Sequence, residues 1–240
     1  MTTIESIGDL MATVGTGGRE PRWFRGQVDD SWTLRPSVFR DHGWLTNETD
    51  MIKRFRQYAA SRMRYQPTGE WEWVCLAQHH GVPTRLLDWS ENPLVGLYFA
   101  IERDQSDRGI VDGKLFSLNP DALNEASAGK PVGVLLLGQD KELDEYLPSS
   151  TPTMRSGALA VVAPQAFDRI VAQSGVFTIT HRLDAEDLDK SSPDAIEEFV
   201  IPQTAKEYLR IELERLNVTA ATVYPDLEHI GTAIKLQHQS

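Results

Sequence analysis

The densest run of chemistry-bearing residues in the sequence is Gln78-His79-His80-Gly81-Val82-Pro83-Thr84-Arg85-Leu86-Leu87-Asp88-Trp89-Ser90-Glu91-Asn92. It gathers two imidazoles, a guanidinium, two hydroxyls and two carboxylates on a short connection whose glycine and proline restrict the backbone. His80 suits a base, or a group that orients hydroxyls. Arg85 offers a planar fork for phosphate. Ser90 and Asn92 stand where the free N–H groups of a helix start would face an anion. Each residue also has a plain structural reading. His79 and His80 neutralise a helix end, Arg85 pairs with Asp88, and Ser90 or Asn92 merely caps.

Elements must hold these groups. Pro21-Arg22-Trp23-Phe24-Arg25-Gly26 reads as a short strand ending in glycine, followed by a polar turn at Asp29-Asp30-Ser31 and a second short strand over 32–34. From Asn47 a helix is predicted. Asn47 caps it, Glu48 and Asp50 suit its positive end, and Met51, Phe55 and Tyr58 recur at steps of four and three. A second helix is predicted over about 70–80, with Gly81 in the left-handed terminating position. Residues 82–89 then extend, and Asn92-Pro93 opens a third helix with a stripe of Leu94, Leu97, Tyr98 and Ile101. Further strands are predicted at 114–118, 132–137, 159–163, 176–181, 198–201 and 219–224. Further helices are predicted over 164–173, closed by Gly175, from a Thr204-Ala205-Lys206-Glu207 capping box, and from about Pro225. Strands and helices alternate without a steady βαβ rhythm. The predicted class is therefore α+β, a mixed or antiparallel β core flanked by helices.

Composition narrows the functions. The chain has 240 residues, 40% apolar and 25% charged, with no apolar run near the roughly 20 residues of a membrane span. Residues 1–10 carry two acidic side chains and no basic one, unlike a secretory leader, so a cytoplasmic location is expected. The single Cys75 makes no internal disulfide and no thiolate-rich zinc site, and on an apolar helix face it reads as packing. A formal charge of −11 argues against binding along a nucleic-acid backbone. Its distribution is uneven. Residues 1–100 hold 11 Lys and Arg, ten of them arginine, against 12 Asp and Glu, and they hold all six tryptophans. Arginine forks with aromatic faces suit a nucleotide-like ligand; tryptophans in a core rimmed by arginines fit the same composition.

Trp23-Phe24-Arg25-Gly26-Gln27, the stretch from Gln78 to Trp89, Asn92-Pro93 and Tyr98-Phe99-Ala100 together resemble the FRG-domain family, named for its Phe-Arg-Gly triplet. Arg169-Ile170, Gln173, Gly175 and Phe177 resemble its third block, and Tyr224-Pro225-Asp226-Leu227 its closing motif. The resemblance spans about 23–235 and implies one domain over 1–240. Members of that family often sit in mobile-element or phage-related settings. The order of parts is similar to that of ADP-ribosyltransferases, which implies an NAD-consuming enzyme, either a mono-ADP-ribosyltransferase or an NAD glycohydrolase. NAD would be the substrate, a protein would be one candidate acceptor, no metal would be needed, and a toxin or phage-related effector would be the setting.

Under that resemblance Arg25 grips the NAD phosphates and Thr84 or Ser90 orders the nicotinamide-ribose region. Gln173 or Glu198 stands where those enzymes use a glutamate to stabilise positive charge developing on the ribose, although a glutamine supplies no such charge. Trp23 or Trp89 would wall the nicotinamide and Asp88 would add negative charge. His80 would orient ribose hydroxyls or act as base toward an acceptor, and Gln27, Arg85, Ser90 and Asn92 would complete the binding set. All of this requires Arg25 to face the His80–Thr84 turn across a shared cleft. Two other classes compete. One is a module that binds a nucleotide or a partner without turnover. The other is a metal-dependent hydrolase using His79, His80, Asp88 and His181, against which adjacent helical histidines point about 100° apart.

Overall fold

The computed structural model describes residues 2–15, 20–63, 66–103, 111–152, 154–164, 168–184 and 186–237. In chain order the elements are β1 (Thr2–Thr3), α1 (Ile7–Gly15), β2 (Trp23–Gln27), α2 (His42–Thr46), α3 (Glu48–Ala59), α4 (Glu70–His79), β3 (Leu86–Ser90), α5 (Pro93–Ile101), β4 (Gly113–Leu118) and α6 (Pro120–Ala128). There follow β5 (Leu135–Leu136), β6 (Leu159–Val162), α7 (Asp168–Ala172), β7 (Gly175–Ile179), α8 (Leu188–Ser191), β8 (Ile196–Ile201), α9 (Gln203–Arg215), α10 (Ala220–Val223) and α11 (Leu227–Gln237). The strands form one sheet in the order β1-β8-β4-β2-β3-β7-β6-β5. The outermost pairs, β1 with β8 and β5 with β6, are parallel and the inner ones antiparallel. This is the α+β class that the irregular alternation predicts.

The sheet has a seam at its centre. β2 pairs with β4 over five residues, from Trp23 opposite Leu118 to Gln27 opposite Lys114. β3 pairs with β7 over five as well. β2 and β3, by contrast, are joined only at Phe24 opposite Ser90. Two four-stranded halves therefore meet at a single residue pair.

Alternation along each strand builds a core on both faces. On one face Trp23, Leu87, Trp89, Phe116, Leu118 and Val176 pack with Leu34, Leu123 and Leu188. On the other, Phe24, Leu115, Phe199 and Ile201 meet Leu97, Ala100 and Ile101 of α5 and Leu209 and Leu213 of α9. Leu86, Phe177 and Ile179 meet Trp71, Val74 and Cys75 of α4 on that same side. α5 begins as its sequence dictates, with Asn92 Oδ1 accepting from the Leu94 N–H at 2.9 Å and proline in the first turn. It lies so close to β2 that a Cβ built on Gly26 would stand 2.1 Å from the Gly96 carbonyl oxygen. Only glycine fits there. The buried side of α5 is also broader than the expected stripe, taking in Val95, Gly96 and Ala100.

Several local expectations are corrected. Residues 32–34 form no strand; this irregular segment lies over the end of β2, where Gln27 Nε2 donates to the Thr33 carbonyl. Asn47 makes no side-chain cap for α3. Its amide instead donates to the Gly43 carbonyl and closes α2, a helix the sequence reading lacks and which Asp41 caps. The 132–137 strand shrinks to β5. Part of the 164–173 helix lies outside the described residues, and the left-handed turn after α7 falls on Ser174 (φ 46°), one residue before Gly175. α9 starts at Gln203, so Thr204 is already inside it and caps nothing; the capping box belongs to Thr219 and Thr222. Residues 219–224, rich in β-branched side chains, are accordingly the short helix α10 and no strand.

Candidate functional site

The Phe24-Arg25-Gly26 triplet divides three tasks along one strand. Phe24 fills the core under α5, Gly26 admits the α5 backbone, and Arg25 projects from the opposite face, beside Phe116 of β4. Arg25 Nη1 donates to the main-chain carbonyl of Asp88 at 2.6 Å. That carbonyl belongs to β3, from which β2 has separated, so the guanidinium bridges the seam in place of a strand-to-strand bond. Its Nε is buried without a partner. Burial pushes the Arg25 guanidinium below its usual pKa, the Asp88 carboxylate opposes that and Arg40 adds to it; an arginine nevertheless stays charged. Gln27 is 4% exposed and its Oε1 is likewise buried and unpartnered.

Arg25, Gly26, Gln27 and Val28 form one wall of a cavity of about 360 Å³. Trp32 and Arg40 close it from the segment after β2; Phe99 of α5, with Glu102 and Arg103 just beyond its end, closes it from the other side. Three arginines and one carboxylate thus line a cavity in a chain of net charge −11. Arg40 is carried by a 3₁₀ turn, Ser37–Arg40, held from behind by Thr84. The Val38 N–H donates to the Thr84 carbonyl, and the Thr84 N–H donates to Ser37 Oγ, both at 3.2 Å. Glu102 is held by two phenols. Tyr98 OH reaches Oε1 at 3.4 Å and Tyr224 OH reaches Oε2 at 3.2 Å. Burial first, and then the Glu102 carboxylate, pushes the Tyr98 hydroxyl pKa up, so it stays a donor. Tyr98, Phe99 and Tyr224 pack edge to face, and His229 stacks on Tyr224 with 4.2 Å between ring centroids.

The other residues singled out from sequence lie elsewhere. His80 is exposed beyond the end of α4, its ring against Phe55 and His79. Thr84 is fully buried; its hydroxyl donates to Gln78 Oε1 and accepts from the Leu86 N–H, while Gln78 Nε2 donates to the Asp88 carboxylate at 3.1 Å. Arg85 pairs with Glu48 at 2.9 Å, not with Asp88, and also donates to the Tyr146 and Thr180 carbonyls. At 1% exposure it has no surface left for a ligand. Trp23 and Trp89 are core residues, Trp89 Nε1 donating to Thr178 Oγ1. Ser90 Oγ donates to the Gln173 carbonyl at 2.6 Å and accepts from the Asn92 N–H, Asn92 caps α5, and Gln173 Nε2 donates to the Val223 carbonyl. Glu198 shares a row with Arg25 and Phe116 across β8, β4 and β2, but its carboxylate pairs with Lys114 at 3.1 Å.

Of the predicted set, then, Arg25 and Gln27 line the cavity, and Asp88 touches Arg25 through its main chain. The cleft opens between Arg25 and the end of α5, not toward His80, and Thr84 meets it only through Arg40's turn. Trp32, Arg40, Glu102 and Arg103 were missed. A signal existed for one of them: Tyr98 and Glu102 are four apart at a helix end. His181 is buried, its Nδ1 accepting from the Ser156 and Leu183 N–H groups. Among the described residues no three of His, Cys, Asp and Glu cluster closely enough to hold a metal ion. Burial, then Asp88 and Glu72, pushes the Cys75 thiol up to about 12.

Residues 20–109 match the family model described as the FRG domain. Every described residue lining the cavity lies within that span. The third block and the closing motif lie beyond it. No curated protein and no solved structure matches the chain.

Proposed function

We propose, on the premise of an FRG domain over residues 20–109, that the cleft at the sheet seam binds NAD and that the protein cleaves the bond between its nicotinamide and ribose. The observation that carries this reading is that Arg25 and Gln27, which line one wall of the cavity, each keep a buried polar atom without a partner, Nε a donor and Oε1 an acceptor. Each such group costs about 1–3 kcal/mol when left unsatisfied. A nucleotide entering the cavity beside them brings acceptors and donors together, in its phosphates and in its hydroxyl or amide groups. Arg25 and Arg40 supply the phosphate grip. Trp32 and Phe99 supply aromatic surface.

In the reaction the C1′–N bond breaks with its electron pair passing to the pyridinium nitrogen, so nicotinamide leaves neutral. The positive charge left on C1′ is shared with the ring oxygen. A water oxygen, or an acceptor's nucleophile in the transferase version, then forms the new bond to C1′ and releases its proton to solvent. Such a step needs positioning and fixed charge more than a strong base. The test is nicotinamide release from NAD by the purified protein, with and without cell lysate as a source of acceptor. Release by wild type and its loss in Arg25→Ala are expected; no release under either condition overturns the reading.

A second reading rests on the same arginine and aromatic lining, which suits binding by itself: a module that holds the nucleotide without turnover. It predicts a saturable rise in melting temperature with ADP-ribose and no nicotinamide product.

A further inference from the structure

We infer that Glu102 recognises ribose hydroxyls in the cleft, with Tyr98 and Tyr224 as its positioning residues, so that the ligand class is a ribose-bearing phosphate and not a bare phosphate. The inference rests on the cleft being a nucleotide site, and it holds whether or not the nucleotide is cleaved. A carboxylate brought into a wall that already holds three arginines weakens the grip on any simple anion, since like charges repel. It lowers the affinity for such anions unless the ligand also brings hydrogen-bond donors. Sugar hydroxyls are such donors, and phosphate oxygens are not.

The mounting of Glu102 fits that role. Each carboxylate oxygen has one phenol beside it, Tyr98 OH near Oε1 and Tyr224 OH near Oε2, both on the long side of a hydrogen bond, which orients the group. A carboxylate accepts up to about four hydrogen bonds across its two oxygens. Tyr98 rides on α5 and Tyr224 follows α10, and their rings are locked edge to face with each other and with Phe99, which itself lines the cavity. Tyr224 is further clamped by the stacked His229, whose Nδ1 meets the Asp226 carboxylate at 2.7 Å. An acidic side chain near a helix C-terminus is unfavourable, and surface exposure alone explains none of these supports. Two segments more than a hundred residues apart in sequence converge to hold one carboxylate at the wall of an arginine-rich cavity.

The experiment titrates the full chain, by calorimetry, with two probes: ADP-ribose, which carries phosphates and ribose hydroxyls, and inorganic pyrophosphate, which carries phosphates alone. Glu102→Gln keeps the shape and removes the charge. It is expected to weaken ADP-ribose about tenfold, the size of one or two lost charge-assisted hydrogen bonds, while pyrophosphate binds as well as before or tighter. Tyr224→Phe is expected to weaken ADP-ribose about threefold and leave pyrophosphate unchanged. A merely structural role would weaken both probes in both variants, and a merely repulsive one would tighten both in Glu102→Gln; either result overturns the inference. Loss of both probes in Arg25→Ala, with Glu102→Gln equal to wild type on each, overturns it and leaves the nucleotide cleft standing. Failure of wild type to bind ADP-ribose overturns both.

Discussion

At the scale of single residues, Arg25 combines a structural duty with an open one. One N–H of its guanidinium satisfies the Asp88 carbonyl across the seam, while its Nε faces inward unpaired. A lysine keeps the charge but loses the fork, because an ammonium is a point donor on a flexible stem. Arg25→Lys is therefore expected to lose at least about tenfold in ADP-ribose affinity in a calorimetric titration, close to the loss in Arg25→Ala, despite the conserved charge. Cys75 makes the opposite case. Its burial between α4, which carries it, and the sheet keeps it in the unreactive protonated form, with the thiol pushed up to about 12. Native protein at pH 8 should take up a thiol reagent far more slowly than denatured protein, and rapid labelling of the native state would show that α4 does not hold it against the sheet.

At the scale of elements, the site is the meeting of β2 with α5, and Gly26 sets the distance between them. A methyl group there would stand 2.1 Å from the Gly96 carbonyl oxygen and 2.3 Å from the Ala100 nitrogen, both rigid main-chain atoms. Gly26→Ala must push α5 away from the sheet. We expect a loss of about 3 kcal/mol in urea unfolding, at the upper end of overpacking costs, together with loss of ADP-ribose binding, because Phe99, Glu102 and Arg103 move with the helix end. Asn92→Ala removes only the cap of the same helix and should cost about 1 kcal/mol with binding retained. The pair of variants separates the position of α5 from its stability.

At the scale of the whole molecule, a buried ionic cluster ties distant segments together. Glu48 at the start of α3 is 1% exposed and meets Arg85, before β3, and Arg182, beyond β7. Removing the shared carboxylate leaves Arg85 charged and buried without compensation. Glu48→Ala is expected to lower unfolding stability by about 3–5 kcal/mol, measured by chemical denaturation. His181 adds a dependence on pH. Burial, and next the nearby Arg85, lowers its pKa below the ordinary 6.5, with Glu145 and Asp184 opposing. The folded state thus resists a proton that the unfolded state accepts. Its contribution is complete above pH 6.5 and declines as pH falls from there toward the depressed folded value. His181→Gln should flatten the stability profile across that window; an unchanged slope would remove His181 as its source.

What the sequence determined by itself was local. Asn92-Pro93 specifies the start of α5 through a cap and a preset φ, and the Phe-Arg-Gly triplet specifies strand alternation with one unhindered position. The α+β class follows from the order of apolar periods, and those signals act between neighbours in the chain. Residues 219–224 show the limit even there, since β-branched side chains read as a strand and the Thr219–Thr222 capping box made them a helix. The partners were decided by tertiary structure. Arg85 found Glu48 in place of the adjacent Asp88, because a buried guanidinium must be neutralised by whichever carboxylate the fold buries with it. Glu102 became part of the cavity because Tyr224, more than a hundred residues away, arrives beside Tyr98. β2 and β3 part after one residue pair, next to the cleft that the end of β2 forms with the end of α5. No spacing along the chain encodes where two strands cease to bond, since that is fixed by what packs on both faces of the sheet at once.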